Sequence, residues 1–360
     1  MERVPLRRLL GSPGPPDRIF YYRLWFRGHN NPRYSELLPR LDRLDRFLVP
    51  ISDRRVLRSL EYRAFRATRR VHNPLVGYLA GRRYRTMFTV DNELIPLFAG
   101  DVVSDNDDPK FTASEALLLN GLNVKAYVVT AERAARRFEQ LGVDKPWHVI
   151  PQGFSSAALS IEQSQLIARR QEKNGIVVGY MAAWLLTEGD RGGDSPLYNV
   201  DHLLDLWREI HLRVPEAELW LIGGASDRVR ELVRDRGDIR LFGRLPRDEA
   251  LNTAANFDVA LYPRTHDQGI RSSKVGEYIG LGLPTVSYDF EVTDELRETG
   301  AGVLVSTSRE FVDAVVQLAI DDGQRQRISA KAREAGAARD WDTLARGYAE
   351  LLDTYLPPRR

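Results

Sequence analysis

Apolar residues recur along this chain in two alternating rhythms. Short unbroken apolar runs read as buried strands: Arg18 to Phe26 (RIFYYRLWF), Phe47 to Ile51, Thr86 to Val90, Asp101 to Ser104 and Tyr127 to Thr130. Between them the apolar positions fall at three- and four-residue spacing. Tyr34 to Leu44 carries Leu37, Leu38, Leu41 and Leu44 on one side of a helix, and Arg54 to Arg70, Asn92 to Phe98, Ser114 to Asn120 and Ala131 to Leu141 read as further helical segments. The same alternation resumes after a polar stretch, Ser155 to Asn174. It runs through strands at Gly175 to Tyr180, Leu219 to Ile222, Ile239 to Phe242, Asp258 to Pro263, Pro284 to Tyr288 and Gly302 to Val305, with an amphipathic helix at Val200 to Leu212. Strands alternating with crossover helices predict parallel sheets. The expected architecture is therefore α/β in two halves, residues 1–155 and 172–340, joined by a polar linker.

The most informative stretch is Arg264 to Ser287, RTHDQGIRSSKVGEYIGLGLPTVS, which lies between two predicted strands. It reads as a loop followed by a helix, with Ser272 or Ser273 at the N-cap and Gly280 or Gly282 supplying the stop. A helix starting above strand ends turns unpaired N–H groups and the positive end of its dipole toward the crevice there, which favours phosphate. Lys274 adds a point charge at the helix start. Glu277, three residues on, lies on the same face and can accept both hydroxyls of a ribose. The alternative for Lys274 and Glu277 is a solvated ion pair one turn apart.

Lys274-Val-Gly-Glu277-Tyr278, followed by Gly282-Leu-Pro284-Thr-Val, resembles the donor-site helix of GT-B glycosyltransferases, particularly family 4. The resemblance extends over nearly all of residues 120–356. It implies two Rossmann-like domains facing across a cleft, a final helix in residues 341–360 returning to the first domain, and glycosyl transfer from a UDP- or GDP-linked sugar to a hydroxyl with retention. On the residues that match, it implies donor binding by Glu277, Ser272, Ser273 and Arg271, by Gly243 and Arg244 in Ile239 to Pro246, whose family counterpart meets the nucleobase, and by Gly153 in Val149-Ile-Pro-Gln-Gly153. Lys274 is the expected catalytic cation. In the first half, the loop Arg27 to Pro32 faces the acceptor sugar and the donor's transferring group in the family, and the acids at the end of the fourth strand have the chemistry to accept hydroxyl protons of an acceptor or to bind a cation. This makes His29 and Asp105 catalytic candidates and Gly28, Asn30 and Asp107 acceptor candidates. A run of Asp and Asn at a strand end is equally the chemistry of a turn.

Two departures stand out. Many family members place a first glutamate eight residues before the second, where this chain has Gly269, and the usual basic pair after the first strand of the second half is absent. Arg191, in the insertion TEGDRGGDSP, or Arg271 is a candidate replacement, since guanidinium binds phosphate bidentately. The Gly223-Gly224 pair after a strand lacks the G-x-G-x-x-G spacing, which disfavours a dehydrogenase.

Composition narrows the chemistry further. The 360 residues contain no cysteine, which removes disulfides, thiolate zinc sites and cysteine nucleophiles, and the six histidines are scattered. Neither a membrane-spanning window nor the apolar core of a signal peptide is present, so a cytoplasmic protein that needs no metal or cofactor is expected. The net charge of +2 hides an asymmetry. Residues 1–90 hold 20 arginines, no lysine and 7 acids. This basic region, Arg54 to Arg85 above all, predicts peripheral association with an anionic membrane, against the alternative of a merely solvated arginine-rich surface. Two other functions remain open on sequence alone: a sugar-nucleotide 2-epimerase of the same architecture, and a noncatalytic subunit that binds nucleotide sugar or membrane.

Overall fold

The structure, a computed structural model, describes residues 16–26, 32–51, 55–154, 175–190, 200–266 and 272–358. The chain divides into two compact units, residues 1–151 with 341–360, and residues 152–340.

In the first unit six strands, β1 (Ile19–Phe26), β2 (Leu44–Ile51), β3 (Thr86–Thr89), β4 (Asp101–Asn106), β5 (Val124–Val129) and β6 (Trp147–Val149), form one sheet in the order β2-β1-β3-β4-β5-β6. Every pairing is parallel, and β1 runs in register with β2 from Ile19 opposite Leu44 to Phe26 opposite Ile51. Both faces of the sheet are covered. On one, Ile19, Tyr21 and Phe88 pack with Leu37, Leu41, Trp341 and Tyr348, so the helix Trp341–Tyr355 is part of this unit's core. On the other, Phe20, Tyr22 and Met87 pack with Val76, Ala80, Leu94 and Ile95.

Two elements differ from their expected form. The helix expected over Arg54 to Arg70 runs from Arg55 to Gly81 and contains Pro74. A proline inside a helix removes one backbone hydrogen bond, but close packing holds the last turns. A Cβ at Gly77 would lie 2.2 Å from the Leu94 carbonyl oxygen, and the Asn73 amide donates to Asp91 at 2.6 Å. The segment expected as a helix near Asn92 is a 3-10 helix, Asn92–Leu97, capped by the Asp91 carboxylate, which accepts the Glu93 N–H.

The second unit repeats the plan with β7 (Val177–Leu185), β8 (Glu218–Ala225), β9 (Ile239–Gly243), β10 (Val259–Tyr262), β11 (Thr285–Tyr288) and β12 (Gly302–Val305), in the order β12-β11-β10-β7-β8-β9, all parallel. Strand order reverses between β7 and β10. In open α/β sheets the crevice beyond the strand ends at such a reversal is where ligands bind.

Candidate active site

The helix Ser273–Gly280 follows β10 at this reversal, and its side chains explain how it is held. Tyr278 is fully buried and its hydroxyl accepts the Met181 N–H of β7 at 2.8 Å, tying the helix to the central strand. Val275 and Ile279 pack on the opposite side with Leu296 and Ala332. Gly280 is required by close approach, since a Cβ there would meet the Phe154 ring at 2.1 Å. The helix ends in a Schellman motif: Gly282, at φ +72°, donates to Ile279 O and Leu283 to Tyr278 O. With three faces fixed in this way, the remaining one carries Lys274 and Glu277.

Both of those side chains are half-buried, and their surroundings are more cationic than the sequence suggested. Glu277 does not depend on Lys274 alone. Its Oε1 accepts from Arg247 Nη2 at 3.3 Å, and Arg247 opens the helix Arg247–Ala254 just after β9. Burial raises the Glu277 carboxyl above its ordinary range, opposed by the charges of Arg247 and Lys274. Burial, followed by repulsion from Arg264, lowers Lys274 to about 7, with Glu277 opposing the shift. Arg264 leaves β10 with its guanidinium 4.9 Å from the Tyr262 ring centre. Three cations thus converge with a single carboxylate at one helix start. Such a site favours an anion, and each charge-assisted contact strengthens as the ligand gains negative charge.

Ser272 is buried at the N-cap position, but its hydroxyl takes no N–H of the first turn, and Ser273 is exposed. Gly153 is buried between Gln152 and Phe154, and a Cβ added at Gly276 would lie 3.4 Å from the Gln152 side chain. Gly243 ends β9 at φ +70°. Beside it a hollow of about 400 Å³ opens at the ends of β7, β8 and β9, between Trp184, Phe242 and Arg244, whose guanidinium lies 5.7 Å from the Trp184 ring centre. Pro246 takes the N-cap position rather than the first helical one, which puts Arg247 first. Arg271, Gly269 and Arg191 lie outside the described residues, as do Gly28, His29 and Asn30 of the first unit.

In the first unit, Asp105 does not stand in a loop beyond a strand. It lies within β4, is 1% exposed, and both its oxygens are engaged by Arg33, through Nε and Nη2 at 3.1 Å each, while the Tyr348 hydroxyl donates to it at 2.8 Å. Arg33 also donates to the carbonyl oxygens of Ile150 and Pro151 at 3.0 and 2.9 Å. The Asp105 carboxylate, expected to be catalytic, anchors a buried ion pair that joins β4, the segment after β6 and the last helix. Asp107, two residues on, is half-buried and accepts the Tyr34 hydroxyl at 2.7 Å. Its pKa is raised by burial and by the neighbouring Asp105 charge. Among the described residues no cluster of three His, Cys, Asp or Glu side chains could hold a metal ion.

Sequence reasoning missed Arg247, Arg264 and Trp184. A signal for the first was available: a cation at the start of a helix opposes the helix dipole, so an arginine there needs a partner, and Asp248 and Glu249 follow it.

Residues 192–321 match the family model described as "Glycosyl transferases group 1". In structure the chain is similar to the HepE protein of Anabaena in complex with UDP and glucose, with a TM-score of 0.68 at 18% identity over 94% of this chain and 100% of that one. It is also similar to sucrose-phosphate synthase from Thermosynechococcus elongatus, with a TM-score of 0.71 at 12% identity over 94% and 99%. A third likeness is to WaaG, a glycosyltransferase involved in lipopolysaccharide biosynthesis, with a TM-score of 0.62 at 12% identity over 92% and 99%. No curated protein matches the chain in sequence. The fold is that of the GT-B glycosyltransferases, and Arg247, Arg264, Lys274 and Glu277 lie within residues 192–321, the part of the chain that matches the group 1 glycosyltransferase model.

Proposed function

We propose that this protein transfers a glycosyl group from a nucleoside-diphosphate sugar to a hydroxyl acceptor with retention of anomeric configuration. The observation that carries the reading is the convergence of Lys274, Arg264 and Arg247 with Glu277 at the start of Ser273–Gly280, at the sheet's point of reversal. Glu277 accepts the ribose hydroxyls, and Arg247 holds its carboxylate in place. The diphosphate lies at the helix start against Lys274 and Arg264, and the base enters the hollow beside Trp184 and Arg244. The structural neighbour HepE binds UDP and UDP-glucose, which supports a uridine donor.

Catalysis follows from the charges. As the glycosidic bond breaks, negative charge grows on the departing diphosphate, and cations fixed beside it stabilise the transition state more than the ground state. These side chains, rather than a divalent metal, supply the neutralising charge. Asp107 is the first unit's candidate for accepting an acceptor hydroxyl. The acceptor is a glycan, a lipid-linked glycan or a small molecule. No described helix is long and apolar enough to cross a membrane. The arginine excess of residues 1–90 supports work in the cytoplasm, at an anionic membrane surface.

The test is product analysis with UDP- and GDP-sugars. Nucleoside diphosphate released only when an acceptor is present, with the new glycoside in the donor's configuration, is the expected result. Epimerised donor without acceptor would assign the isomerase reaction. Donor binding with no turnover in the presence of an acceptor library would assign a binding subunit.

A further inference from the structure

The helix Arg55–Gly81 presents an apolar stripe to solvent. Val71, Leu75 and Tyr78, spaced four and three residues apart, are 76%, 52% and 48% exposed. One and two turns earlier the same face continues with exposed Ala64, Ala67 and Thr68. The Thr68 hydroxyl donates back to the Ala64 carbonyl at 2.9 Å, which satisfies it within the helix. The opposite face is the buried one, with Asn73, Val76, Gly77 and Ala80 packed toward Asn92–Leu97. This helix is therefore amphipathic in both directions: one side serves the core and the other an absent environment.

The charges around the stripe say which environment. From Tyr62 to Val90 the sequence has seven arginines and no acid. Arg63 and Arg70 are exposed along one edge of the stripe, and exposed Arg82 continues it just past the helix end. Arginine stems can lie along an apolar boundary while their guanidinium groups reach anionic headgroups. From Tyr62 to Arg82 this part of the chain carries arginines and no acid, so a second copy packed on it there would set like charge against like.

We infer that Val71, Leu75 and Tyr78 insert into the interface of an anionic lipid membrane, with Arg63, Arg70 and Arg82 on its headgroups. This assignment rests on the membrane reading above and is independent of the transfer chemistry.

The experiment is co-sedimentation of the full chain with vesicles of phosphatidylcholine alone or mixed with phosphatidylglycerol. Wild type should bind the anionic vesicles and weaken as salt shortens the Debye length to about 8 Å and below. Leu75→Asp/Tyr78→Asp should lower the partition coefficient at least about tenfold, because two apolar insertions are replaced by charge. Each Arg→Gln change at 63, 70 or 82 should lower it about fivefold. An unchanged thermal midpoint confirms folding of each variant. Undiminished anionic binding by the variants would overturn this face while leaving the membrane reading standing. Failure of wild type to prefer anionic vesicles would overturn both. A dimer in sedimentation velocity that Leu75→Asp abolishes would assign the stripe to a second copy and overturn the inference.

Discussion

Donor binding should take up a proton. Lys274 has a pKa of about 7 because burial and the Arg264 charge outweigh the attraction of Glu277. At about pH 8 only about a tenth of Lys274 is charged in the unliganded protein. A bound diphosphate brings two negative oxygens to the helix start and restores the cation, so binding draws about 0.9 proton from solvent at that pH and only about 0.1 near pH 6. The same linkage weakens donor affinity by close to tenfold, or about 1.4 kcal/mol, for each pH unit above about 7. Calorimetric titration of UDP-glucose in buffers of different ionisation enthalpy reads the proton directly, since the sugar-linked diphosphate has no ionisation near neutral pH. Lys274→Met should abolish the uptake. Stability carries the same signature: the folded protein binds fewer protons than the unfolded chain between about pH 7 and the ordinary lysine range, so this group's contribution rises with pH across that window and falls as pH drops through 7. Absence of proton uptake at about pH 8, or the same uptake in Lys274→Met, would refute the reasoning.

Arg247→Ala should weaken donor binding severalfold without lowering the thermal midpoint, because the 3.3 Å contact to Glu277 positions a carboxylate rather than supporting the core. Arg33→Met and Asp105→Asn should each destabilise the protein by about 3–5 kcal/mol in urea unfolding, since either change leaves a buried partner uncompensated, and the double variant should cost less than the sum. Gly280→Ala should cost about 1–3 kcal/mol by driving a methyl into the Phe154 ring, and Phe154→Leu in the same chain should recover part of it.

What was legible in the sequence is what short-range pattern encodes. Gly302–Val305 reads as a strand from four residues, and Lys274 to Tyr278 between two buried strands declares a helix above a sheet. Pairings across long separations were not legible. Nothing near Asp105 in sequence indicates that Arg33, 72 residues earlier, and Tyr348, 243 residues later, occupy its oxygens, so its position in an Asp/Asn-rich run read as a turn. Glu277 likewise shows a local partner in Lys274, while the hydrogen-bonded one, Arg247, is 30 residues away. The helix read over Arg54 to Arg70 runs on to Gly81 because Gly77 packs closely against Leu94, a long-range contact that local propensity does not encode.

The central claim is that Ser273–Gly280 and its charged side chains hold the nucleoside diphosphate through Glu277. It is tested most directly by titrating UDP into wild type and Glu277→Ala. Hydrogen bonds to a charged acceptor contribute about 1.5–3 kcal/mol, so loss of the carboxylate should weaken binding at least about tenfold, with Glu277→Gln falling between the two. Equal affinity of wild type and Glu277→Ala would contradict the account, leaving Glu277 as no more than the ion-pair partner of Arg247.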